Sequence, residues 1–282
     1  MKKIGMMLKR SKPEAVTIAR ELIAWLEARD LTPLIPESDA KSNGLGEGYP
    51  LEQVFDECEL MIVLGGDGTL LAAARMLRGR QVPVLGVNLG SMGFLTEVRK
   101  EELYPTLELV LAGHVRIVER IRLKVEVWEG QQVFSYVVLN DVVVTKSAIS
   151  RIFDLKITVG GNFMNTTRAD GLIVSTPTGS TAYNLAVGGP IIHPATKCLV
   201  IAPINPHMLT NRPVVVPGHM KIELELTDEA EVFVTCDGQE GRPMHQGDRV
   251  IVEVCPQPLL VVKSPKRSYF EVLRQKLHYG ER

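Results

Sequence analysis

The stretch Glu59–Leu71, ELMIVLGGDGTLL, constrains the fold more than any other part of this 282-residue chain. The apolar run from Leu60 to Leu64 has the length of a buried strand and is too short for a helix. It breaks at Gly65-Gly66, presents Asp67, adds Gly68 and enters a helix-compatible run at Thr69, a residue placed to cap that helix. A strand passing through a glycine turn into a helix is the repeating unit of an open α/β sheet. Such sheets bind ligands just beyond the carboxyl ends of their strands. The stretch therefore predicts a carboxylate, Asp67, at the exit of a central strand. Gly65, Gly66 and Gly68 let a ligand approach the backbone, and amides at the helix start favour an anion such as phosphate. An ordinary tight turn is the alternative, but three glycines around one acid exceed what a turn needs.

The pattern around this stretch repeats. Ile4–Leu8 reads as a strand, and Ser11-Lys12-Pro13-Glu14 as a helix start with proline in the first turn. Val16, Ala19, Leu22, Ile23 and Leu26 then recur at helical spacing. Leu31–Ile35 is a second strand and Val82–Val87 another, the latter running into a glycine-rich segment, Asn88 to Phe94, expected beside the Asp67 loop. Phe94 is suited either to stack on a base or to anchor that loop. Asn43-Gly44-Leu45-Gly46-Glu47-Gly48 imitates a dinucleotide fingerprint, but no strong strand leads in, Pro50 follows and no clear helix opens within it, so it reads as a mobile loop. Glu101–Leu111 is helical, perturbed at Pro105. Residues 1–114 thus read as a doubly wound α/β domain with a parallel sheet.

Beyond residue 115 the period changes from helical to two. Ile121, Leu123, Val125 and Val127 alternate with charged residues, and similar alternation returns in Phe153–Val159, Lys221–Leu226 and Val250–Val254. Residues 115–265 read as a mostly antiparallel, sandwich-like β-domain, and 266–282 as a helical tail that packs back on the first domain.

Composition removes several function classes. A formal net charge of −1 argues against nucleic-acid partners and against an electrostatic membrane partner. Lys9-Arg10 interrupt the apolar start before a signal-peptide core forms, and no apolar run reaches membrane-spanning length. The four scattered cysteines include no CxxC and read as reduced thiols of a cytoplasmic protein. No Walker A, GxSxG or protein-kinase signature occurs, and the histidines lack metal-ligand spacing, so no residue is singled out as a metal ligand.

A second polar constellation lies in the β-part. Asn140-Asp141 interrupts a β-branched run, the kind of local contradiction expected at functional sites; a bulge is the alternative. Arg168-Ala169-Asp170-Gly171 follows, and then Thr176-Pro177-Thr178-Gly179-Ser180-Thr181-Ala182-Tyr183, a polar turn into a helix start, which Ser180 or Thr181 could cap. Cys236-Asp237-Gly238-Gln239 reads as a turn between strands and says little by itself.

These motifs, Gly65-Gly66-Asp67-Gly68-Thr69, Asn140-Asp141, Asp170-Gly171 and Thr178 to Tyr183, together with Gly188-Gly189-Pro190 and Pro206-His207, occur in the order found in bacterial NAD kinases, which the chain resembles along essentially its whole length. The first motif is shared with lipid kinases and phosphofructokinases; the TGSTAY segment with its upstream Asp-Gly is more specific. The resemblance implies transfer of the γ-phosphoryl group of ATP to the 2′-hydroxyl of the adenosine ribose of NAD, giving NADP, with Mg²⁺ as the divalent cation. It implies Asp67 as proton acceptor, Asn140 and Asp141 on the adenosine portion, and Thr181, Ala182, Tyr183, Asn184, Leu185 and Ala186 around adenine and ribose, with Thr178 beside them. Arg151, Arg168 and Asp170 line the dinucleotide site in this reading, with Asn205 and Gln239 at further contact positions. It also implies a homodimer or homotetramer with the site near a subunit interface. One departure is Asp141, where the family often has Glu, so the reach of that carboxylate differs by one methylene. The rival readings are a lipid kinase, which would leave the TGSTAY segment unexplained, and a non-catalytic NAD-binding sensor, against which the intact Asp67 loop argues.

Overall fold

The computed structural model of the chain describes residues 2–9, 12–147 and 151–280. Ser11, expected at the first helix start, lies outside them. The chain divides into two compact units, Met1–Glu119 with Leu259–Arg282, and Arg120–Pro258.

In the first unit the strands are β1 (Lys3–Leu8), β2 (Thr32–Leu34), β3 (Leu60–Gly65), β4 (Val84–Asn88), β5 (Val98–Arg99) and β6 (Ile117–Arg120). The helices are α1 (Pro13–Glu27), α2 (Glu37–Asn43), α3 (Leu51–Glu57), α4 (Asp67–Met76) and α5 (Leu103–Leu111). A returning strand near the C-terminus, Leu259–Val262, completes a sheet of order β2-β1-β3-β4, then that strand, then β6, with β5 also on β4. The pairings of β1 with β2 and β3, of β3 with β4, and of β4 with β5 and with the returning strand are parallel. Every residue of β3 is buried, which is why its sequence is a continuous apolar run: helices cover both faces of such a sheet. α1 packs Ala15, Ala19, Leu22 and Leu26 against Ile4, Met6, Ile62 and Leu64.

Four details differ from the sequence reading. The Gly44–Gly48 loop is flanked by two short helices, α2 and α3, to which the sequence pattern assigns no element; Gly44 ends α2 in the left-handed conformation. Pro105 does not perturb α5, because it sits in the first turn, where no intrahelical N–H bond is lost. Leu259–Val262, read as part of the β-rich domain, joins the parallel sheet beside β4. The tail helix begins at Tyr269, with Ser268 and Glu271 forming a reciprocal cap, and Arg267 binds Glu102 at 2.7 Å.

The second unit holds β7 (Leu123–Glu129), β8 (Gln132–Val138), β9 (Asp141–Lys146), β10 (Phe153–Val159), β11 (Asn162–Ala169), β12 (Gly171–Ser175), β13 (Cys198–Ile204), β14 (Val214–Pro217), β15 (Ile222–Leu226), β16 (Val232–Cys236), β17 (Glu240–Met244) and β18 (Arg249–Val254). They form two six-stranded sheets, β11-β10-β15-β18-β7-β8 and β14-β13-β12-β9-β16-β17. The pairings are antiparallel and one apolar core joins both sheets, so this unit is a sandwich. β7, β10 and β15 alternate buried and less buried residues, as their period of two requires. By contrast β12 and β13 are buried throughout. Their second face, Ile173, Val200, Ala202 and Ile204, with Val143 of β9 beside it, is covered by Val187 and Ile192 of the segment that follows β12. That covering segment contains Thr176–Ala186.

Candidate active site

In the first unit β3 ends at Gly65, Gly66 is extended, and Asp67 is the first residue of α4. Gly66, not Thr69, is the N-cap, and no side chain caps the helix; Thr69 lies a turn too late to do so. The Asp67 carboxylate accepts four hydrogen bonds from the segment after β4. The donors are the N–H groups of Phe94 (2.8 Å), Leu95 (3.1 Å) and Thr96 (3.0 Å), and the Thr96 hydroxyl (2.9 Å). The two glycine-rich loops therefore meet, as expected from their strands being neighbours. Gly93 permits this: a Cβ there would fall 2.5 Å from Thr96 Oγ1 and closer still to Asp67 Oδ1. Gly68 faces open space. Phe94 meets Asp67 through its backbone N–H. Thr96, fully buried, is a site residue that the sequence reading missed. Its only local signal is its place eight residues beyond Asn88.

In the second unit Asn140 and Asp141 lie at the start of β9, beside Ser175 at the end of β12. The backbone here is clamped by Asp237, whose carboxylate accepts from the N–H groups of Leu139 (2.9 Å), Asn140 (2.8 Å) and Asp141 (3.2 Å). The turn of Cys236–Gln239, uninformative in sequence, is thus the anchor of the Asn-Asp motif. From the other side the Thr176 hydroxyl donates to Leu139 O (2.6 Å) and accepts from Gly179 N–H (3.0 Å). Gly179 packs directly on Asn140: a Cβ would come within 2.7 Å of Asn140 Cα.

The turn after β12 becomes a short 3-10 segment, Gly179–Thr181, and a single helical turn, Tyr183–Ala186, with no side-chain cap at either. Ser180 does not cap; its hydroxyl donates to Pro177 O (2.7 Å) and accepts from Ile192 N–H (2.9 Å). Asn184 is fully buried and its amide nitrogen binds Ser180 O and Pro190 O, so this side chain holds the turn together. Thr181, Ala182 and Leu185 are half-buried, while Tyr183 and Ala186 are exposed. The hydroxyl oxygen of Thr178 is buried with no hydrogen-bond partner. An orphaned hydroxyl of this kind carries a cost that a bound polar group would remove.

Burial, and then the charge of Asp237, push the Asp141 carboxyl up to about 7 from its ordinary 3.8. Because the folded chain holds this proton more tightly than the unfolded chain, stability is greatest where both are protonated. It is lost as pH rises from about 4 through about 7, by up to roughly 4 kcal/mol. Asp141→Asn removes this titration. The expected result is a melting temperature that falls between pH 5 and pH 8 by about 5–10 °C more in the wild type than in the variant, read by differential scanning fluorimetry. Parallel curves would show that the carboxyl ionises without strain.

A third group forms at the other end of β12, where Gly171 lies opposite Thr145 and Ile204. Asp170 binds Lys146 Nζ (2.9 Å) and Asn205 Nδ2 (3.1 Å), and these bonds, Lys146 first, hold its carboxyl below its usual range. Nothing local in the sequence marks Lys146 as a partner of Asp170, which lies 24 residues further along the chain. Arg168 is exposed on β11, with Asp154 4.0 Å from its guanidinium. Arg151 and Gln239 are exposed. Five strand rises, about 17 Å, separate Asp170 from Ser175, which pairs with Asp141. The sheet keeps these two sets of predicted residues apart rather than in one cluster.

Among the described residues no group of three or more His, Cys, Asp or Glu could hold a metal ion, and no helix is long and apolar enough to cross a membrane. Cys58 and Cys236 are buried free thiols, pushed by burial to about 11 and about 12.

An acid held by amides at the mouth of a doubly wound parallel sheet stands where α/β enzymes of this class bind their ligands, and the hydroxyl-rich turns of the sandwich add polar groups suited to a second part of a substrate. Residues 4–115 match the ATP-NAD kinase N-terminal domain and residues 139–264 the ATP-NAD kinase C-terminal domain. The chain belongs to the ATP-NAD kinase family and is a kinase. It is 48% identical to the NAD kinases of Geotalea daltonii and Geobacter sulfurreducens, with 100% of each chain covered. Its fold is that of yeast NADH kinase solved with NADH (TM-score 0.92, 23% identity, 100% of this chain and 89% of that one). An NAD kinase from Archaeoglobus fulgidus solved with ATP shares it as well (TM-score 0.79, 23% identity, 97% and 99%).

Proposed function

We propose that this chain phosphorylates NAD with ATP at the 2′-hydroxyl of the adenosine ribose, and that Asp67 accepts the proton of that hydroxyl. The observation that carries the reading is the Asp67 carboxylate, oriented by four donors at the exit of β3 in a chain of the ATP-NAD kinase family. A ribose hydroxyl is a weak acid and a carboxylate a weak base, so the proton leaves late, in a loose transition state. The carboxylate first orients the attacking oxygen and then takes its proton as the new O–P bond forms. General-base assistance of this kind contributes about 10²–10⁴-fold, and positioning supplies more.

Asn140, Asp141 and the Thr178–Ala186 turn hold the adenosine portion in this reading, and the orphaned Thr178 hydroxyl supports a polar ligand atom there. Arg168, Asp170 and Asn205, with Arg151 and Gln239, serve the rest of the dinucleotide. Their distance from Asn140 along the sheet suits a ligand with two separated ends, or a site completed by a second copy of the chain. Mg²⁺ enters as part of the substrate MgATP in this reading, held chiefly by phosphate oxygens and water, as this ion usually is at nucleotide sites.

The protein acts in the cytoplasm as a homodimer or homotetramer. Support comes from exposed Met208, Leu209, Val215 and Phe233 in the second unit, with Val214 and Val215 on β14, an edge strand. Sedimentation of the wild type as a dimer or larger, and of Leu209→Glu as a smaller species, is the expected result; a monomeric wild type overturns it.

The activity is tested by incubation with NAD and MgATP, followed by detection of NADP with an NADP-specific dehydrogenase. NADP must appear. Phosphorylation of diacylglycerol in place of NAD would identify a lipid kinase, and NAD binding without product would identify a sensor.

A further inference from the structure

The four donors on Asp67 are divided unequally between its two oxygens. Among the described residues, Oδ1 accepts from Leu95 N–H, Thr96 N–H and the Thr96 hydroxyl, whereas Oδ2 accepts from Phe94 N–H alone. A carboxylate offers about two lone-pair directions per oxygen, so Oδ1 is saturated and Oδ2 keeps one free.

What orients the Thr96 hydroxyl can be read without ambiguity from Asn88, at the end of β4. Asn88 Oδ1 accepts from Gly90 N–H at 2.7 Å, and Nδ2 donates to Ser91 O at 2.7 Å. Both partners are backbone groups of fixed polarity, so the amide has one orientation only. The second Nδ2 hydrogen then faces Thr96 Oγ1 at 2.9 Å. The hydroxyl must accept there, and its own proton is left to point at Asp67 Oδ1, 2.9 Å away. Asn88 is 6% exposed and Thr96 0%, so water does not compete for either bond.

We infer that Asn88 and Thr96 are a positioning pair for the transfer reaction, which fixes the Asp67 carboxylate so that Oδ2 is the oxygen that receives the substrate proton. The inference rests on the reading of Asp67 as proton acceptor. In the step itself the 2′-hydroxyl O–H bond breaks and its oxygen forms the bond to the γ-phosphorus. The proton passes to Asp67 Oδ2, and the electron pair of the cleaved P–O bond leaves with ADP. Later the proton is released to water. Thr96 is fully buried behind Asp67, so its effect is exerted through that carboxylate. Without its hydroxyl one of the three bonds on Oδ1 is lost, the carboxylate can rotate, and the acceptor oxygen loses alignment with the attacking hydroxyl.

The test is a set of variants read by kcat and KM separately. Thr96→Val keeps the buried volume and removes the hydroxyl; kcat is expected to fall about 10- to 100-fold while KM for NAD and MgATP stays within about threefold. Thr96→Ser returns the hydroxyl and should restore kcat to within about threefold of wild type. Asn88→Asp provides an independent route should the valine variant not fold: its carboxylate accepts the Thr96 proton, turns that hydroxyl away from Asp67, and should lower kcat as Thr96→Val does. In the Asp67→Asn background, Thr96→Val should cost no further activity, because the pair acts through Asp67. Wild-type kcat in both Thr96→Val and Asn88→Asp overturns the inference, as does a serine variant as impaired as the valine variant or a fully multiplicative loss in the double variant. Wild-type kcat in Asp67→Asn alone would instead remove the proton-acceptor reading on which the inference stands.

Discussion

Asp67→Asn should lower kcat by about 10²–10⁴-fold and leave NAD affinity within an order of magnitude. The magnitude follows from what the amide can do in this setting. Three donors converge on the Oδ1 position, so the single oxygen of asparagine must occupy it. The amide nitrogen then takes the Oδ2 position, where it faces Phe94 N–H, another donor, and presents hydrogens to a hydroxyl that needs an acceptor. Size and position are conserved, so binding of the dinucleotide is little changed, while the proton has nowhere to go as the O–P bond forms. Steady-state NADP formation measures kcat, and isothermal titration calorimetry with NAD measures affinity. A variant with ordinary turnover would show that another group accepts the proton; a variant that loses affinity and turnover together would make Asp67 a binding residue.

Gly179→Ala should destabilise the protein by about 3 kcal/mol and weaken NAD binding with it. An added Cβ would press on the backbone of Asn140, 2.5 Å from its carbonyl carbon and 2.7 Å from its Cα. Neither side can give way. The 139–141 backbone is held by three N–H bonds to Asp237, and Gly179 is held by its own N–H to the Thr176 hydroxyl. For a chain of this size the loss corresponds to roughly 6–12 °C in Tm. Gly218→Ala is the comparison: a Cβ there meets nothing nearer than 3.3 Å, so its neighbours need give by only a few tenths of an ångström and it should cost clearly less than Gly179→Ala. Equal melting temperatures for wild type and Gly179→Ala would mean that the contact relaxes freely.

Much of the architecture is legible in local pattern. The unbroken apolar run before Gly65 reads as a strand buried on both faces, and β3 is one. The two-residue period after Ile121 reads as half-buried antiparallel strands, and β7, β10, β15 and β18 are the inner strands of one sheet of the sandwich. The helices α2 and α3 were missed because each spans only seven residues, too short for a period of 3.6 to declare itself. Thr69 is not the cap because the helix starts three residues earlier than its composition suggests.

Legibility of the site stopped at the same limit. Glycine turns, the lone Asp67 and the misplaced polar pair Asn140-Asp141 are local contradictions, visible in a run of a dozen residues. The partners that give those residues their properties are not local. Asp237 clamps Asp141 from 96 residues away, and Thr96 reaches Asp67 from 29 residues away. Period and composition thus determined, from the sequence alone, that a parallel sheet would present an acid and that a β-rich part would carry a hydroxyl-rich turn. Only the tertiary structure decided which oxygen of that acid is free, why Asp141 resists ionisation, and that Leu259–Val262 returns to the first sheet. Hydrophobic period is a property of neighbouring residues, whereas the orientation of a hydrogen bond and the cost of burying a charge depend on groups that folding alone brings together.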